Sequence, residues 1–406
     1  MYSGGQGVYL HYLTRELAQM GHDVHVIAGL PYPKVTPEVH LHKLQTFNFW
    51  KYLYREGFEE YAYHTHPLHF FHPVNLYEFI STRYILSSQL NMFSLRAYHK
   101  LNELERETPF DLIHDNQTLG YGIWLMKLRG RPVVATVHHP LAADRKNDLA
   151  RANSTAGRIE RIFWYPWVMQ KWVVNRLDKV ITVSEVAAAS LQEAFGILRE
   201  HVSIISNGVD GEIFRPVEVD KEPGRVLFVG HAEDENKGFR YLLEALRALR
   251  DQVSFNLTVV QRPGSTGTER LVQQLGLFGR VTFLEDISTE QLVLEYNRAQ
   301  IVVSPSLFEG FGLPALEAQA CGTPVIATTV GALPDIIEDT VSGFLVPPKD
   351  VSALREAIEA LLQDPDRCRD MGASGRRHVL ERFSWREAAA QTVQVYYDAI
   401  RQHSAA

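Results

Sequence analysis

The chain has 406 residues, of which 45% are hydrophobic and 22% charged, so it is long enough to form two globular domains. A formal net charge of −7 argues against non-specific nucleic-acid binding, and no apolar run approaches the roughly 20 residues that a membrane-spanning helix needs. The two cysteines, Cys321 and Cys368, are too few for a disulfide framework, and we expect a cytoplasmic protein without a signal peptide.

The chain opens with a glycine-rich stretch, residues 1–7, which we predict to be a loop in front of an amphipathic helix that ends at Gly21. A strand, His25–Ala28, follows. A glycine loop of this kind ordinarily follows a β-strand, and none precedes it here.

Residues 32–100 are the least regular part and are dense in aromatic and histidine side chains. His64, His66, His69 and His72 raise the question of a zinc site, but no fixed element gives them ligand spacing, so a histidine-rich surface loop is favoured. Residues 34–100 contain seven Lys or Arg and five Glu, so no polybasic attraction to anionic lipid is indicated. Membrane contact by this stretch is left open.

The middle of the chain predicts the remaining strands of a first sheet. The strand 110–114 ends in Asp115-Asn116-Gln117, and the strand 133–137 ends in His138-His139. Side chains at the carboxyl ends of parallel strands commonly contact ligands, but alternation along a strand decides only that one of two adjacent histidines faces the ligand. For the amphipathic helix 158–177 we favour core packing over a membrane-surface role.

The second half begins after the turn Asn207–Asp210 and the polar segment 214–224, which together predict an interdomain linker. A strand at 226–229 leads into a polar loop with Lys237 just before a helix, where an ammonium group can pair with a phosphate. The next strand ends at Gln261, directly before Arg262.

The most informative stretch is residues 304–335, in which Glu309 and Glu317 stand eight positions apart around a glycine-rich turn. An apolar run at 299–303 predicts a buried parallel strand before the turn, and Pro314 suits the start of a helix after it. Two carboxylates at such a strand end can accept hydrogen bonds from vicinal hydroxyls of a ligand; the alternative is that both are solvated surface residues.

This spacing of two glutamates resembles the donor-site pattern of the retaining glycosyltransferase family 4. The resemblance extends over nearly the whole chain, through the segments VSE (183–185), SNGVD (206–210), VGHAEDENKG (229–238), TVGALPDII (329–337), GFLVPPKD (343–350) and RFSW (382–385).

The resemblance implies the GT-B architecture, an α/β fold of two Rossmann-like, doubly wound domains that face each other across a cleft. An N-terminal acceptor-side domain would cover residues 1–212, a C-terminal nucleotide-sugar donor domain 213–384, and a helix over 385–406 would cross back to the first domain. Similar proteins carry an apolar strand ahead of the first glycine loop. We therefore expect the first strand of the N-terminal domain to be missing, as in a chain read from an internal start or a fragment.

The implied activity is transfer of a hexose from a UDP- or GDP-linked sugar to an acceptor hydroxyl of a glycan, lipid or small molecule, with retention of configuration. Such a reaction suits the synthesis of cell-envelope glycans or glycolipids, and residues 32–100 would select the acceptor. Transfer would occur on one face of the sugar within a close ion pair, with the leaving phosphate as base.

The resemblance also assigns residues. His138 (in preference to His139), Lys237 and Glu309 would be catalytic. The donor would be bound by Gly4, Gly5, His231, Lys237, Arg262, Glu309, Gly310, Phe311, Gly312, Leu313 and Glu317. His231 stands where similar enzymes usually have arginine. Either it is protonated beside the phosphates, or Arg262 or a backbone donor takes over part of the charge stabilisation.

No metal or cofactor is expected, because the only Asp-x-Asp triplet, Asp364-Pro365-Asp366, lies in a turn between two predicted helices. Expected partners are the nucleotide sugar and its acceptor, with no nucleic acid and with peripheral contact to the inner membrane face left open. The alternatives are a nucleotide-sugar epimerase, a phosphorylase (for which no cofactor-binding lysine is evident) and a non-catalytic sugar-nucleotide binder or inactive fragment.

Overall fold

The computed structural model describes residues 4–44, 76, 89–139, 167–261 and 267–405. The chain divides into an N-terminal unit, Tyr2–Ile205 with Ala389–Ala406, and a C-terminal unit, Ser206–Ala388. Among the described residues, every helix is too short or too polar to span a lipid bilayer.

The N-terminal unit alternates helices with short parallel strands. In chain order its elements are α1 (Gly4–Gln19), β1 (His25–Ala28), β2 (His40–Lys43), α2 (Gln89–Leu104), β3 (Ile113–Asn116), α3 (Tyr121–Leu128), β4 (Val133–Thr136), α4 (Trp167–Val174), β5 (Lys179–Thr182), α5 (Glu185–Phe195) and β6 (Val202–Ile204). Strands β3 to β6 pair in parallel in that order, and β1 pairs in parallel with β2 in a two-stranded sheet.

Two sequence expectations for this unit need correction. Helix α1 already begins at Gly4, so Gly4 to Gly7 form its first turn rather than a loop before it. Strand β2 was not expected within the irregular stretch 32–100, although its alternating residues His40-Leu41-His42 are typical of a strand. The histidines at positions 64, 66, 69 and 72 and the first part of the predicted helix 158–177 lie outside the described residues.

The other strands and helices of this unit follow from familiar local signals. All four residues of β4 are buried, in line with a continuous apolar run in a parallel sheet. The side chain of Ser184 accepts a hydrogen bond from the Ala187 amide and so caps α5, while Gly196 ends that helix in the left-handed conformation.

The C-terminal unit repeats the strand–helix alternation more regularly. Its elements are β7 (Arg225–Val229), α6 (Phe239–Leu249), β8 (Asn256–Gln261), α7 (Gly267–Gln274), β9 (Val281–Glu285), α8 (Thr289–Arg298), β10 (Ile301–Ser304), α9 (Leu313–Ala320), β11 (Val325–Thr328), α10 (Leu333–Ile336), β12 (Gly343–Val346), α11 (Val351–Leu362), α12 (Pro365–Arg382) and α13 (Trp385–Ala405). Helix α13 is grouped with this unit up to Ala388 and with the N-terminal unit beyond it.

The six strands of this unit form one parallel sheet in the order β9-β8-β7-β10-β11-β12. The chain therefore winds outward from β7 in one direction, returns to the middle, and winds outward from β10 in the other. This is a doubly wound sheet whose topological switch point lies between β7 and β10, where ligands of such sheets bind beyond the strand ends.

Helix α6 shows how the sequence directs packing in this unit. Leu242, Leu243, Leu246 and Leu249 recur at helical spacing, and all four are fully buried against the strands. Arg247 lies on the opposite, exposed face of the same helix.

We expect Leu246→Ala to lower the free energy of unfolding by about 2–5 kcal/mol, because it removes apolar contacts and leaves a cavity. Arg247→Ala, one position further on the exposed face, is expected to change it by no more than about 0.5 kcal/mol. Urea unfolding of both variants checks this, and equal shifts would contradict the packing described for α6.

Candidate active site

Three loops leave the sheet of the C-terminal unit at or beside its switch point. Residues 230–238 follow β7, residues 305–312 follow β10, and residues 329–332 follow the neighbouring strand β11. We call these three segments the switch-point loops. They begin at the carboxyl ends of adjacent parallel strands, so their side chains converge on one edge of the sheet.

Gly238 holds the first two loops together. It has the left-handed conformation (φ 64°), and a Cβ atom at this position would lie 1.9 Å from the carbonyl oxygen of Pro305. Beside this close approach, the Leu307 amide donates a hydrogen bond to the Asn236 carbonyl at 2.7 Å. Only glycine can satisfy both the backbone angle and the contact.

Gly331 does the same for the third loop. It also has positive φ (57°), and a Cβ atom there would lie 1.9 Å from the carbonyl oxygen of Glu309. The Thr328 hydroxyl, at the end of β11, donates a hydrogen bond to the carbonyl of Ser306. The backbone around Glu309 is thus fixed from two neighbouring strand ends.

An ion pair forms the centre of these loops. The Lys237 ammonium group donates to Glu309 Oε2 at 2.9 Å, and the Ser306 hydroxyl donates to the same oxygen at 3.2 Å. The side chains are 28% and 12% exposed, respectively. Burial by itself lowers the pKa of Lys237, but the charge of Glu309, its hydrogen bond and Asp234 together raise that pKa above its ordinary value. Lys237 is therefore a fixed cation at physiological pH.

The N-terminus of helix α9 lies next to this pair. Gly312 (φ 107°) precedes the helix, Leu313 begins it and Pro314 occupies its first turn. The positive end of the helix dipole and its first amide groups are suited to negative or hydroxyl-rich ligand groups. Phe311 is buried and packs edge-on against Phe383, so only its backbone can take part in binding.

Glu317 lies one turn into α9 and has a different environment. The Tyr296 hydroxyl donates to its Oε2 at 2.8 Å, and burial raises the pKa of Glu317 to about 7, against the lowering effect of that hydrogen bond. This carboxylate is half protonated near neutral pH. Tyr296 was not singled out from the sequence, since an aromatic residue in an amphipathic helix gives no sign of such a contact.

The N-terminal unit carries a second polar cluster, at the carboxyl ends of β3 and β4. His138 is 8% exposed, its backbone amide donates to Gln117 Oε1 at 2.7 Å, and its Nε2 lies 2.9 Å from Asn116 Oδ1. Because an amide oxygen only accepts, Nε2 carries the proton and Nδ1 is an acceptor. Burial, followed by the neighbouring histidines His139 and His114, lowers the pKa of His138 to about 3, so its imidazole stays neutral.

A chain of buried and partly buried hydrogen bonds runs beside His138. The Tyr9 hydroxyl lies 2.8 Å from Thr136 Oγ1, which lies 2.7 Å from His114 Nε2, and His114 Nδ1 contacts the Tyr396 hydroxyl at 2.5 Å. Tyr9 also packs edge-on against the His138 ring at 4.7 Å. Helix α1 thus contacts the His138 ring directly through Tyr9, and α13 joins the same hydrogen-bond chain through Tyr396.

Comparison with known proteins identifies the family. A family model described as Glycosyltransferase Family 4 matches residues 3–212, and one described as Glycosyl transferases group 1 matches residues 209–378. The chain belongs to glycosyltransferase family 4. It is accordingly a glycosyltransferase, and the family expectation drawn from the two-glutamate pattern is confirmed.

Named relatives agree with this assignment. An MMP alpha-(1->4)-mannosyltransferase of Mycolicibacterium hassiacum is 37% identical over 99% of this chain and 96% of the relative. A D-inositol 3-phosphate glycosyltransferase of Corynebacterium urealyticum is 32% identical over 71% of each chain.

Solved structures confirm the fold. Sucrose-phosphate synthase from Thermosynechococcus elongatus superposes with a TM-score of 0.74 at 27% identity, over 99% of this chain and 94% of that one. Anabaena HepE in complex with UDP-glucose superposes with a TM-score of 0.69 at 17% identity, over 97% of both chains. The family 4 enzyme therefore has the GT-B fold with two Rossmann-like units.

The structure of this family 4 glycosyltransferase distributes the predicted site residues over both units. Lys237, Glu309, Gly310, Phe311, Gly312, Leu313 and Glu317 lie on the switch-point loops and α9, whereas Gly4, Gly5 and His138 belong to the N-terminal unit. His231 is exposed on the first switch-point loop, where its carbonyl accepts a hydrogen bond from the Asp234 amide. Arg262 lies outside the described residues.

We expect Gly238→Ala to destabilise the C-terminal unit of this glycosyltransferase by about 3 kcal/mol or more, because the left-handed angle costs about 1–2 kcal/mol and the Pro305 contact must also open. Gly279→Ala is the matched control. Gly279 has similar positive φ (82°), but its Cβ would meet nothing within 4 Å. Thermal unfolding that shifts equally in both variants would show that the close approach is unimportant.

Proposed function

We propose that this glycosyltransferase moves a hexose from a nucleotide diphosphate sugar to an acceptor hydroxyl, with retention of configuration and without a metal ion. The observation that carries the proposal is the Lys237–Glu309 pair at the switch point of a doubly wound sheet. It supplies one fixed cation and one carboxylate where ligands of this fold bind.

Lys237 meets the negative charge of the leaving diphosphate in this proposal. An ammonium group has three donors, so Lys237 can keep Glu309 and still donate to a phosphate oxygen. The α9 N-terminus adds a second source of positive potential, and transition-state charge is most strongly stabilised by groups already fixed in place. His231 and Arg262 are proposed to share the remaining charge.

Glu309 and the amides of Gly310 to Gly312 hold the hydroxyls of the sugar. Both described hydrogen bonds to the Glu309 carboxylate, from Lys237 and Ser306, end on Oε2. Oε1 is therefore the oxygen that we assign to a sugar hydroxyl. Glu317, on the next helical turn, is assigned to the ribose hydroxyls of the nucleotide.

The donor sugar is proposed from the relatives. The 37% identical relative is named a mannosyltransferase that forms an alpha-(1->4) linkage, so a mannose nucleotide is the first donor to test, with UDP- and GDP-linked glucose beside it. If the sugar is α-linked in the donor and α-linked in the product, its anomeric configuration is retained. We propose transfer on one face of the sugar, with the departing phosphate oxygen taking the acceptor proton.

His138 is assigned a supporting role towards the sugar rather than that of a general base. Its low pKa keeps the imidazole neutral, and a base with so low a pKa accepts protons poorly near neutral pH. With its proton on Nε2, the neutral imidazole keeps the same hydrogen-bond donor and acceptor atoms near neutral pH.

Donor turnover tests the proposal. The purified protein is incubated with UDP- and GDP-hexoses and candidate acceptor sugars, and nucleotide release that depends on the acceptor is expected. Lys237→Met should lower kcat/KM by about 100- to 1000-fold, because a fixed charge at the leaving group is lost. Lys349→Asn, an exposed lysine whose positive φ asparagine tolerates, should have no effect.

The other outcomes of the same assay separate the alternatives. An epimerised nucleotide sugar without release would indicate an epimerase, and tight binding without any turnover would indicate a sugar-nucleotide binder. Full activity of Lys237→Met would remove Lys237 from the mechanism.

The ribose assignment predicts a pH dependence. The ionised Glu317 carboxylate accepts hydrogen bonds from both ribose hydroxyls, and with a pKa of about 7 it becomes protonated as the pH falls. Binding of uridine or guanosine, which carry ribose but no phosphate, should therefore weaken progressively below pH 7.

Calorimetric titration of nucleosides between pH 6 and pH 8 measures this effect. Glu317→Gln should bind more weakly and without the pH dependence, whereas Glu381→Gln, which changes an exposed glutamate on α12, should behave as the wild type. Unchanged affinity in Glu317→Gln would show that the ribose lies elsewhere.

A further inference from the structure

A cluster of three histidines and one aspartate lies on the strand pair β1–β2, outside the residues assigned to transfer. Asp23, His25 and His40 each present one ligand atom, and these atoms lie within 4.8 Å of one another. His42 adjoins them through a contact with His25. We propose that this cluster is a zinc-binding site.

The strand register brings the two ligand histidines together. His25 and His40 are directly paired Cα partners across the parallel strands, so their side chains leave the sheet on the same face, with ring centroids 4.5 Å apart. The alternate positions Val26 and Ala28 point to the opposite face and are buried in a small apolar core. The two histidine ligands are therefore held by paired backbone, and Asp23 lies two residues before β1.

The distances match a tetrahedral zinc ion. Asp23 Oδ1 lies 3.3 Å from His25 Nε2 and 3.5 Å from His40 Nε2. Zn²⁺ bonded to nitrogen and oxygen at about 2.0–2.1 Å separates neighbouring tetrahedral ligand atoms by about 3.3–3.4 Å. Two edges of the ligand tetrahedron are thus already formed, and small rotations of the exposed Asp23 and His40 side chains would complete the third.

His42 orients the least exposed ligand. His25 Nδ1 lies 3.0 Å from His42 Nε2, and the His25 ring packs edge-on against Phe110. When Nδ1 of His25 donates to His42, the lone pair of His25 is on Nε2, the atom that faces Asp23. A histidine ligand whose second nitrogen donates to a neighbouring acceptor is the usual arrangement at metal sites.

Two imidazoles and one carboxylate select the metal. This ligand set suits Zn²⁺, whereas Mg²⁺ and Ca²⁺ prefer oxygen ligands alone. Three protein ligands leave a fourth position, which faces solvent because Asp23 and His40 are 64% and 59% exposed. The bound ion would fasten the end of β1 to β2. The site is independent of the transfer reaction proposed above, which uses no metal.

Zinc titration of the full chain tests the site. The protein is freed of metal with a chelator and titrated with ZnCl₂ against a chromophoric competitor, and Co²⁺ is used as a spectroscopic substitute. We expect the intense visible bands of tetrahedral Co²⁺, and a loss of affinity of at least tenfold in His40→Ala and in Asp23→Asn. His22→Ala, which removes a neighbouring exposed histidine outside the cluster, should bind as the wild type does.

Further measurements distinguish zinc binding at the cluster from a loss of folding and from zinc binding at other histidines. The chain has 17 histidines, so the difference between variants, rather than total zinc uptake, is the decisive quantity. Zn²⁺, but not Mg²⁺, should raise the unfolding temperature of the wild type and of His22→Ala, and leave that of His40→Ala unchanged. His42→Ala should weaken binding about 10- to 100-fold while keeping the tetrahedral Co²⁺ spectrum.

Equal zinc affinity and equal Co²⁺ spectra in the wild type and His40→Ala would overturn the proposal, because the ion would then bind elsewhere or only adventitiously. Nucleotide affinity, which depends on the C-terminal unit, should be the same in both proteins. A result against the zinc site is thus distinct from one against the transferase proposal.

Discussion

The close approach of Gly238 to the Pro305 carbonyl is the constraint on which the rest of the candidate site depends. It joins the loop after β7 to the loop after β10, the two strands between which the winding of the sheet reverses. The backbone is fixed there and again at Gly331, and Lys237 and Glu309 already lie 2.9 Å apart without a ligand. Ligand binding therefore loses little conformational entropy in ordering these two side chains. The close backbone contacts at Gly238 and Gly331 are what hold the loops of the site in place.

The two glutamates illustrate how environment separates residues of one chemical type. Glu309 accepts hydrogen bonds from a lysine ammonium group and a serine hydroxyl, whereas Glu317 has a tyrosine hydroxyl as its described partner and a pKa of about 7. One carboxylate is therefore paired with a cation, whereas burial brings the pKa of the other into the physiological range.

Polar groups in the N-terminal unit serve a different purpose. The network from Tyr9 through Thr136 and His114 to Tyr396 is buried at its first two residues and partly buried at the other two. Because burial lowers the pKa of His114 to about 4, the hydrogen bonds of this network join neutral groups. Such networks specify one arrangement of the elements that they join. Here the network joins α1 and α13, which lie at opposite ends of the sequence, and its Tyr9 packs against the His138 ring.

The sequence alone predicted the family and the strand–helix alternation correctly, whereas its assignment of the donor site to residues 304–335 stays a prediction. All three rest on local periodicity, glycine positions and a two-glutamate spacing. The sequence predicted Lys237 correctly as a residue before a helix, but not that it pairs with Glu309 72 positions away. It also missed β2, Tyr296 as the partner of Glu317, and the Asp23–His25–His40 cluster. These features depend on which strands become neighbours and in what register, and only the tertiary structure decides that.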